Sequence, residues 1–193
     1  MKMTMRKEVV TLKLVGISGA LAGDKTSLAV NDVLATAKLL DSAVKTELID
    51  LRDYEVEFAT GAPLVDYNND TWNVVNTMLS ADFLVFGTPI YQASISGALK
   101  NLFDLLPQNA FKHKVTGIVA TGWSEKHFLV PEYQLKPILS YFKGLVPTGN
   151  VFIHNDSFNE ESDEIIDRDV SERMQNLADE MIYLQQAIHN RYG

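Results

Sequence analysis

The stretch "VVTLKLVGISGALAGDKTSL", residues 9–28, decides the fold. Its first part, residues 9–17, is an apolar, β-rich run that predicts a strand. A loop with two glycines follows, and residues 26–40 then carry apolar side chains at the spacing of a helix. A strand, a glycine-containing loop and a helix N-terminus in this order form a place where backbone N–H groups can bind a phosphate.

The same alternation of strand and helix continues to the end of the chain. The further predicted strands are residues 46–51, 83–87, 115–121 and 148–153, and the further predicted helices are residues 69–79, 95–106, 132–141 and 167–190. Asp70 or Asn69 is predicted to cap the second helix. This order predicts an α/β fold, a three-layer α/β/α sandwich with a five-stranded parallel sheet. Five strands favour the flavodoxin-like order 2-1-3-4-5, whose ligands bind beyond the carboxyl ends of the strands.

Composition excludes several classes of protein. The 193 residues suit a single domain over residues 1–193, with residues 1–7 as a loose leader. The net charge of −8 argues against a nucleic-acid partner. The chain has no cysteine, which excludes disulfides and thiolate metal sites and fits a cytoplasmic protein. We identify no signal peptide or membrane helix, and the four histidines lack the spacing of metal ligands, so no metal site and no membrane partner are predicted.

The first loop resembles a nucleotide-triphosphate P-loop only in part. Three residues separate Gly19 from Gly23, where a Walker A motif has four. Asp24 stands between Gly23 and Lys25 and would repel a triphosphate. The sequence therefore disfavours ATP at this loop.

A single phosphate fits the loop better, because hydroxyls and the N–H groups of a helix N-terminus converge there. The residues predicted to bind it are Ser18, Lys25, Thr26 and Ser27. A plain strand-to-helix turn, capped by Asp24 or Thr26, is an equally good interpretation of the loop alone.

Two later blocks carry a family resemblance. They are "TPIYQASISGALKNLFDLLP", residues 88–107, and "ATGWSEKHFLVPEYQLKPIL", residues 120–139. The sequence resembles the NADPH-dependent FMN reductase family over residues 14–153, and within that family the alkanesulfonate-type FMN reductases.

The resemblance implies a flavodoxin-like fold that binds FMN and oxidises NADPH or NADH, passing a hydride to flavin N5. It places the FMN phosphate on the first loop. It places Thr88, Pro89, Ile90 and Tyr91 along the isoalloxazine ring, and Thr121, Gly122, Trp123 and Ser124 at the other edge of that ring. No side chain is assigned as a catalytic acid or base, because the flavin carries the chemistry. Reduced flavin would pass to a partner monooxygenase or another acceptor, and a homodimer or homotetramer would form through the helix at residues 96–106.

Two other functions remain open. One is a quinone, azo-dye or chromate reductase of the same fold, which keeps its FMN bound. The other is a non-enzymatic, flavodoxin-like electron carrier. The sequence also departs from the family pattern at Ala20, Gly23, Ile95 and Trp123. The first two changes remove phosphate partners, and Trp123 is either a stacking lid or a residue that narrows the nicotinamide site.

The last predicted helix carries an apolar stripe, and its members are Val170, Met174, Leu177, Met181, Leu184 and Ile188. The stripe predicts packing on the sheet, with a subunit contact as the alternative.

Overall fold

The computed structural model describes residues 11–159 and 164–192. The predicted leader and the first two residues of the first predicted strand lie outside these ranges. The strands β1 to β5 are Lys13–Ser18, Lys45–Asp50, Phe83–Pro89, Thr116–Gly122 and Val151–His154. The helices α1 to α5 are Lys25–Leu40, Asn69–Ser80, Gly97–Asp104, Lys136–Tyr141 and Arg168–Tyr192.

The five strands form one parallel sheet in the order β2-β1-β3-β4-β5. This confirms the predicted fold class and strand order. In the register of the sheet, Ser18 at the end of β1 lies beside Gly87 of β3 and Asp50 of β2. Because all the strands run in one direction, the loops that follow β1, β3 and β4 leave the sheet at the same edge.

Helices cover both faces of the sheet, which explains why the central strands are almost wholly apolar. All seven residues of β3 and all seven of β4 are buried. One face packs against α1 and α5, and the other packs against α2, α3 and α4. The predicted stripe on α5 belongs to this core, since Val170, Met174, Leu177 and Met181 are all buried. Its packing on the sheet is therefore confirmed.

The structure corrects the details of two helix starts. Asn68, rather than Asn69 or Asp70, caps α2, because its Oδ1 accepts a hydrogen bond of 2.8 Å from the N–H of Thr71. The helix α3 begins at Gly97, two residues later than predicted, because Ser96 is its cap and accepts a bond of 3.1 Å from the N–H of Leu99.

The helix predicted over residues 132–141 is divided in two. Pro131–Leu135 forms a π-helical turn in which the N–H of Lys136 bonds to the carbonyl oxygen of Pro131, and α4 follows it. Pro137 has no N–H and cannot donate the bond that an uninterrupted α-helix needs at that position, so the wider turn is tolerated there.

The segment between β5 and α5 contains more structure than predicted. Two short antiparallel strands, β6 at Phe158–Asn159 and β7 at Glu164–Ile165, flank residues outside the described ranges. Among the described residues, no helix combines the length and the apolar character needed to cross a bilayer.

Candidate functional site

A cleft of about 550 Å³ opens at the carboxyl edge of the sheet. Its walls come from the first loop and the start of α1, from the turn after β3, from the end of β4, and from one residue after β5. The lining residues are Ala22, Gly23, Asp24, Lys25, Thr26, Pro89, Ile90, Tyr91, Thr121, Gly122, Trp123 and Asn155. The three loops that the sequence singled out therefore meet at one place.

The N-terminus of α1 forms the polar end of this cleft. The first backbone bond of the helix runs from the N–H of Leu28 to the carbonyl oxygen of Asp24, at 2.9 Å. The N–H groups of Lys25, Thr26 and Ser27 precede it and have no acceptor within the helix. A helix N-terminus carries partial positive charge, which suits a phosphate, and Lys25 and Thr26 at this terminus line the cleft.

Lys25 lies where the polar end meets the aromatic end. Its Nζ donates a hydrogen bond of 3.0 Å to the carbonyl oxygen of Asn155. The same ammonium group lies 5.0 Å from the centre of the Trp123 ring and 5.6 Å from that of Phe158. These contacts hold the positive charge at the cleft wall by cation–π attraction.

A pair of buried hydroxyls ties α1 to β4. The Oγ1 atoms of Thr26 and Thr121 are 2.9 Å apart and hydrogen-bonded. Both residues are buried, so this bond fixes the distance between the helix N-terminus and the end of the fourth strand.

The turn after β3 is held in an unusual backbone conformation. Gln92 and Ala93 both have positive φ, at 48° and 61°, which side-chain-bearing residues seldom adopt. The backbones of Tyr91 and Ser94 exchange two hydrogen bonds of 3.0 Å across the turn. Gln134 supports it from outside, since its amide donates to the carbonyl oxygen of Ala93 at 2.9 Å and accepts from the Ser94 hydroxyl at 2.7 Å. The turn presents Tyr91, 48 % exposed, to the cleft.

Trp123 stands at the mouth of the cleft with 66 % of its surface exposed. Its carbonyl oxygen is 2.8 Å from Nε2 of His154, which fixes the loop after β4. Gly122 before it packs closely, because a Cβ there would lie 3.2 Å from Nδ1 of His127 and 3.2 Å from the Phe152 ring. A side chain at this position would therefore require His127 or Phe152 to shift by a few tenths of an ångström.

Eight of the twelve predicted site residues line the cleft, and four do not: Ser18, Ser27, Thr88 and Ser124. Thr88 is buried under the turn, where its hydroxyl accepts from the N–H of Ser96 at 3.0 Å and donates to the carbonyl oxygen of Pro89. The Ser27 hydroxyl donates to the carbonyl oxygen of Asp24 at 2.9 Å. The Ser18 hydroxyl is buried and has no hydrogen-bond partner within residues 11–159 and 164–192.

Sequence reasoning missed three residues that shape the site. Asn155 follows β5, whereas the loops that the sequence singled out follow β1, β3 and β4. Gln134 acts across 40 positions of sequence through side-chain bonds. Arg52 follows β2 and was not singled out, although an arginine next to a strand end could have signalled a charged partner.

Arg52 and Asp50 form a charged pair beside the cleft, and the pKa values of both groups are shifted. Burial acts to raise the pKa of the Asp50 carboxyl, but the hydrogen bonds and positive charge of Arg52 outweigh it and hold that pKa below its usual range. The bonds to Asp50 and Asp24 in turn raise the pKa of Arg52. Both groups are therefore charged at neutral pH.

A second, mainly apolar cleft of about 480 Å³ adjoins the first. Tyr91 lines both clefts. The second one runs along the start of α3 and is bordered by Leu21 and by Phe58, which is 80 % exposed.

The donor set of the first cleft fits FMN. One end offers an ammonium group, a threonine hydroxyl and helix N–H groups, which suit a phosphate. The other end offers Pro89, Ile90, Tyr91 and Trp123, which suit a flat, mainly apolar ring system.

Comparisons with known proteins agree with this chemistry. The model of the NADPH-dependent FMN reductase family matches residues 12–158. The chain is 49% identical over 173 residues to an NAD(P)H-dependent FAD/FMN reductase of Geobacillus thermodenitrificans, covering 90% of this chain and 93% of that one. It is 32% identical over 145 residues to the NADH-dependent FMN reductase SfnE of Pseudomonas putida, covering 73% and 76%.

Among solved structures, the apo form of the NADH:FMN oxidoreductase EmoB is similar, with a TM-score of 0.73 and 29% identity over 92% of this chain and 90% of that one. The predicted family is thus confirmed. The chain belongs to the NADPH-dependent FMN reductase family and is a flavodoxin-like oxidoreductase.

Proposed function

We propose that this protein transfers a hydride from NADPH or NADH to N5 of FMN and releases the reduced flavin to an acceptor. The observation that carries the proposal is the two-ended cleft, in which a helix N-terminus with Lys25 faces an aromatic and apolar wall. Family membership supports the reaction class.

The polar end is proposed to hold the FMN phosphate. Lys25 supplies a positive charge, and Thr26 and the first N–H groups of α1 supply hydrogen-bond donors. We keep Ser27 among the residues proposed for the phosphate end because its hydroxyl supports the first loop by donating to the carbonyl oxygen of Asp24. Ser18 is kept among them because its buried hydroxyl, at the carboxyl end of β1, lacks a partner among the described residues.

The apolar end is proposed to hold the flavin ring. Pro89, Ile90 and Tyr91 would line one side, and the loop of residues 121–124 the other, with Thr88 bracing the turn from beneath. When bound, FMN supplies the atom that accepts the hydride. The side chains of the cleft bind, orient and exclude water, and we assign no catalytic acid or base among them.

The second cleft supports a proposal about assembly. Leu21, Phe58 and Tyr91 expose apolar surface beside the start of α3, which favours a homodimer or homotetramer through that region. We propose a cytoplasmic location, because the chain contains no cysteine. We also propose a partner monooxygenase as one acceptor of the reduced flavin.

The first experiment measures NADPH and NADH oxidation by the purified protein, with air excluded, as free FMN is added. We expect a rate that rises and saturates with FMN while free reduced FMN accumulates. Reduction of a single retained FMN, without turnover of the excess, would instead favour a quinone or azo-dye reductase. No reduction with either coenzyme would favour an electron carrier.

A matched pair of variants tests the phosphate end. Lys25→Met should weaken FMN binding by about tenfold or more, since a charge-assisted hydrogen bond contributes about 1.5–3 kcal/mol. Lys100→Met is the control, because that lysine pairs on the surface with Asp104 in α3, outside the cleft. Equal FMN affinity in the two variants would remove Lys25 from the site.

A further inference from the structure

Arg52 joins the end of β2 to the start of α1 through three partners. Its Nε lies 3.1 Å from each carboxylate oxygen of Asp50, and its Nη2 lies 2.6 Å from Oδ2 of the same residue. Nη2 also donates to the Ser27 hydroxyl at 3.0 Å. Nη1 forms an ion pair with Asp24. Nε and Nη2 thus fix the planar guanidinium group on the buried Asp50 carboxylate, and Nη1 is left to pair with Asp24.

The carboxylate of Asp24 places a negative charge at the proposed phosphate site, where it is unfavourable for an anionic ligand. It occupies the position just before α1, yet its side chain accepts no capping hydrogen bond from the helix. It lines the cleft beside Lys25 and Thr26, whereas Arg52 does not line it. A free carboxylate there would compete with an anionic ligand for the N–H groups of the helix and would repel its charge.

We propose that Arg52 is a positioning residue for FMN, which keeps the Asp24 carboxylate turned toward itself and away from the phosphate end of the cleft. This inference rests on the proposed function, in which the FMN phosphate binds at the start of α1. The role depends on Asp24, because the ion pair both compensates its charge and directs its side chain.

The role makes a specific prediction for a double-mutant cycle. Arg52→Gln should weaken FMN binding about fivefold to tenfold, because a carboxylate is released beside the phosphate. Asp24→Asn alone should leave the affinity unchanged or improve it. The double variant should bind FMN within about threefold of Asp24→Asn, since the harmful charge is gone. The loss in Arg52→Gln should also shrink as salt is added.

The cycle is measured by quenching of FMN fluorescence at two ionic strengths, with the thermal midpoint of each variant as a check on folding. A loss that persists in the double variant would overturn the inference, because Arg52 would then act on the fold and not through Asp24. If Arg52→Gln fails to fold, Asp24→Asn decides alone: binding weaker than that of the unmodified protein overturns the inference, and equal or tighter binding supports it. Absence of FMN binding by the unmodified protein would instead refute the proposed function, and the inference with it.

Discussion

Adding one methyl group at Gly16 should push α1 away from the sheet. Gly16 lies in β1 beneath the helix, and a Cβ there would lie 2.5 Å from Cγ1 of Val30 and 3.0 Å from Cδ1 of Leu34. Carbon atoms in good contact are about 3.5–4.0 Å apart, so the overlap with Val30 is about 1 Å. Val30 is fully buried and has a β-branched side chain, which leaves it few rotamers in a helix. The helix itself must therefore move.

The size of the effect follows from two opposing terms. Overpacking a core costs about 1–3 kcal/mol. Replacing glycine in the unfolded chain offsets about 0.4–1 kcal/mol of that by lowering the entropy of the unfolded state. We expect Gly16→Ala to lose up to about 2.5 kcal/mol net, which lowers the thermal midpoint by up to about 10 °C in a chain of this size. FMN binding should weaken as well, because the first turn of α1 forms the polar end of the cleft.

The assay is thermal and urea unfolding of Gly16→Ala, Val30→Ala and the double variant. Val30→Ala alone removes two buried methyl groups and should cost about 2 kcal/mol. It also makes room for the new Cβ, so the double variant should be more stable than the sum of the two single losses predicts. Gly97→Ala is the control, since a Cβ at that helix position meets nothing within 4 Å and should stabilise the protein. An unchanged cost of Gly16→Ala in the Val30→Ala background would refute the contact as its cause.

Three further predictions test the supports of the cleft. Thr26→Val should lower the free energy of unfolding by about 1–3 kcal/mol, because it leaves the buried Thr121 hydroxyl unpaired. Adding Thr121→Val should restore part of that loss in urea unfolding. A further loss in the double variant would show that the two hydroxyls do not stabilise the protein by bonding to each other. Gln134→Ala should release the turn after β3 and weaken FMN binding while the thermal midpoint falls by only a few degrees; unchanged binding would show that the turn needs no support. Because the folded-state pKa of Asp50 is lowered, its stabilising contribution is complete above the ordinary carboxyl range and is lost as the pH falls through the folded-state pKa. The free energy of unfolding should therefore fall less steeply with decreasing pH in Asp50→Asn than in the unmodified protein. Equal slopes in the two proteins would show that Asp50 does not cause the acid loss of stability.

The fold could be predicted from the sequence because the same pattern, an apolar run followed by a helical spacing, is repeated along the chain. Each apolar run with a following helical pattern predicts one β-α unit, and five such units leave few topologies for a parallel sheet. Element ends were less certain, since they depend on single side chains such as Asn68 and Ser96. The change from a π-helical turn to α4, just before Pro137, depends on one missing N–H, which the spacing of apolar residues does not reveal.

The position of the cleft was predictable to the level of loops, because parallel strands bring their carboxyl ends to one edge. Which side of a loop each hydroxyl faces was not predictable. Thr26 and Ser27 are adjacent, yet one lines the cleft and bonds to Thr121, whereas the other turns to Arg52. Successive residues at a helix start point in directions about 100° apart, so adjacent hydroxyls cannot both face one ligand squarely.

Asp24 shows why the charge of the first loop depends on residues distant in sequence. From the sequence, its carboxylate argues against a triphosphate at this loop. In the fold, Arg52 pairs with it across 28 positions, so one negative charge in the loop is compensated. The trio of Asp24, Asp50 and Arg52 still carries a net charge of −1, from two carboxylates and one guanidinium. Lys25 can balance that charge against a ligand with one phosphate, but the repulsion grows with each further phosphate. The compensation of Asp24 by Arg52 is therefore compatible with the proposed single phosphate of FMN, whereas the remaining negative charge keeps the loop unfavourable for a triphosphate.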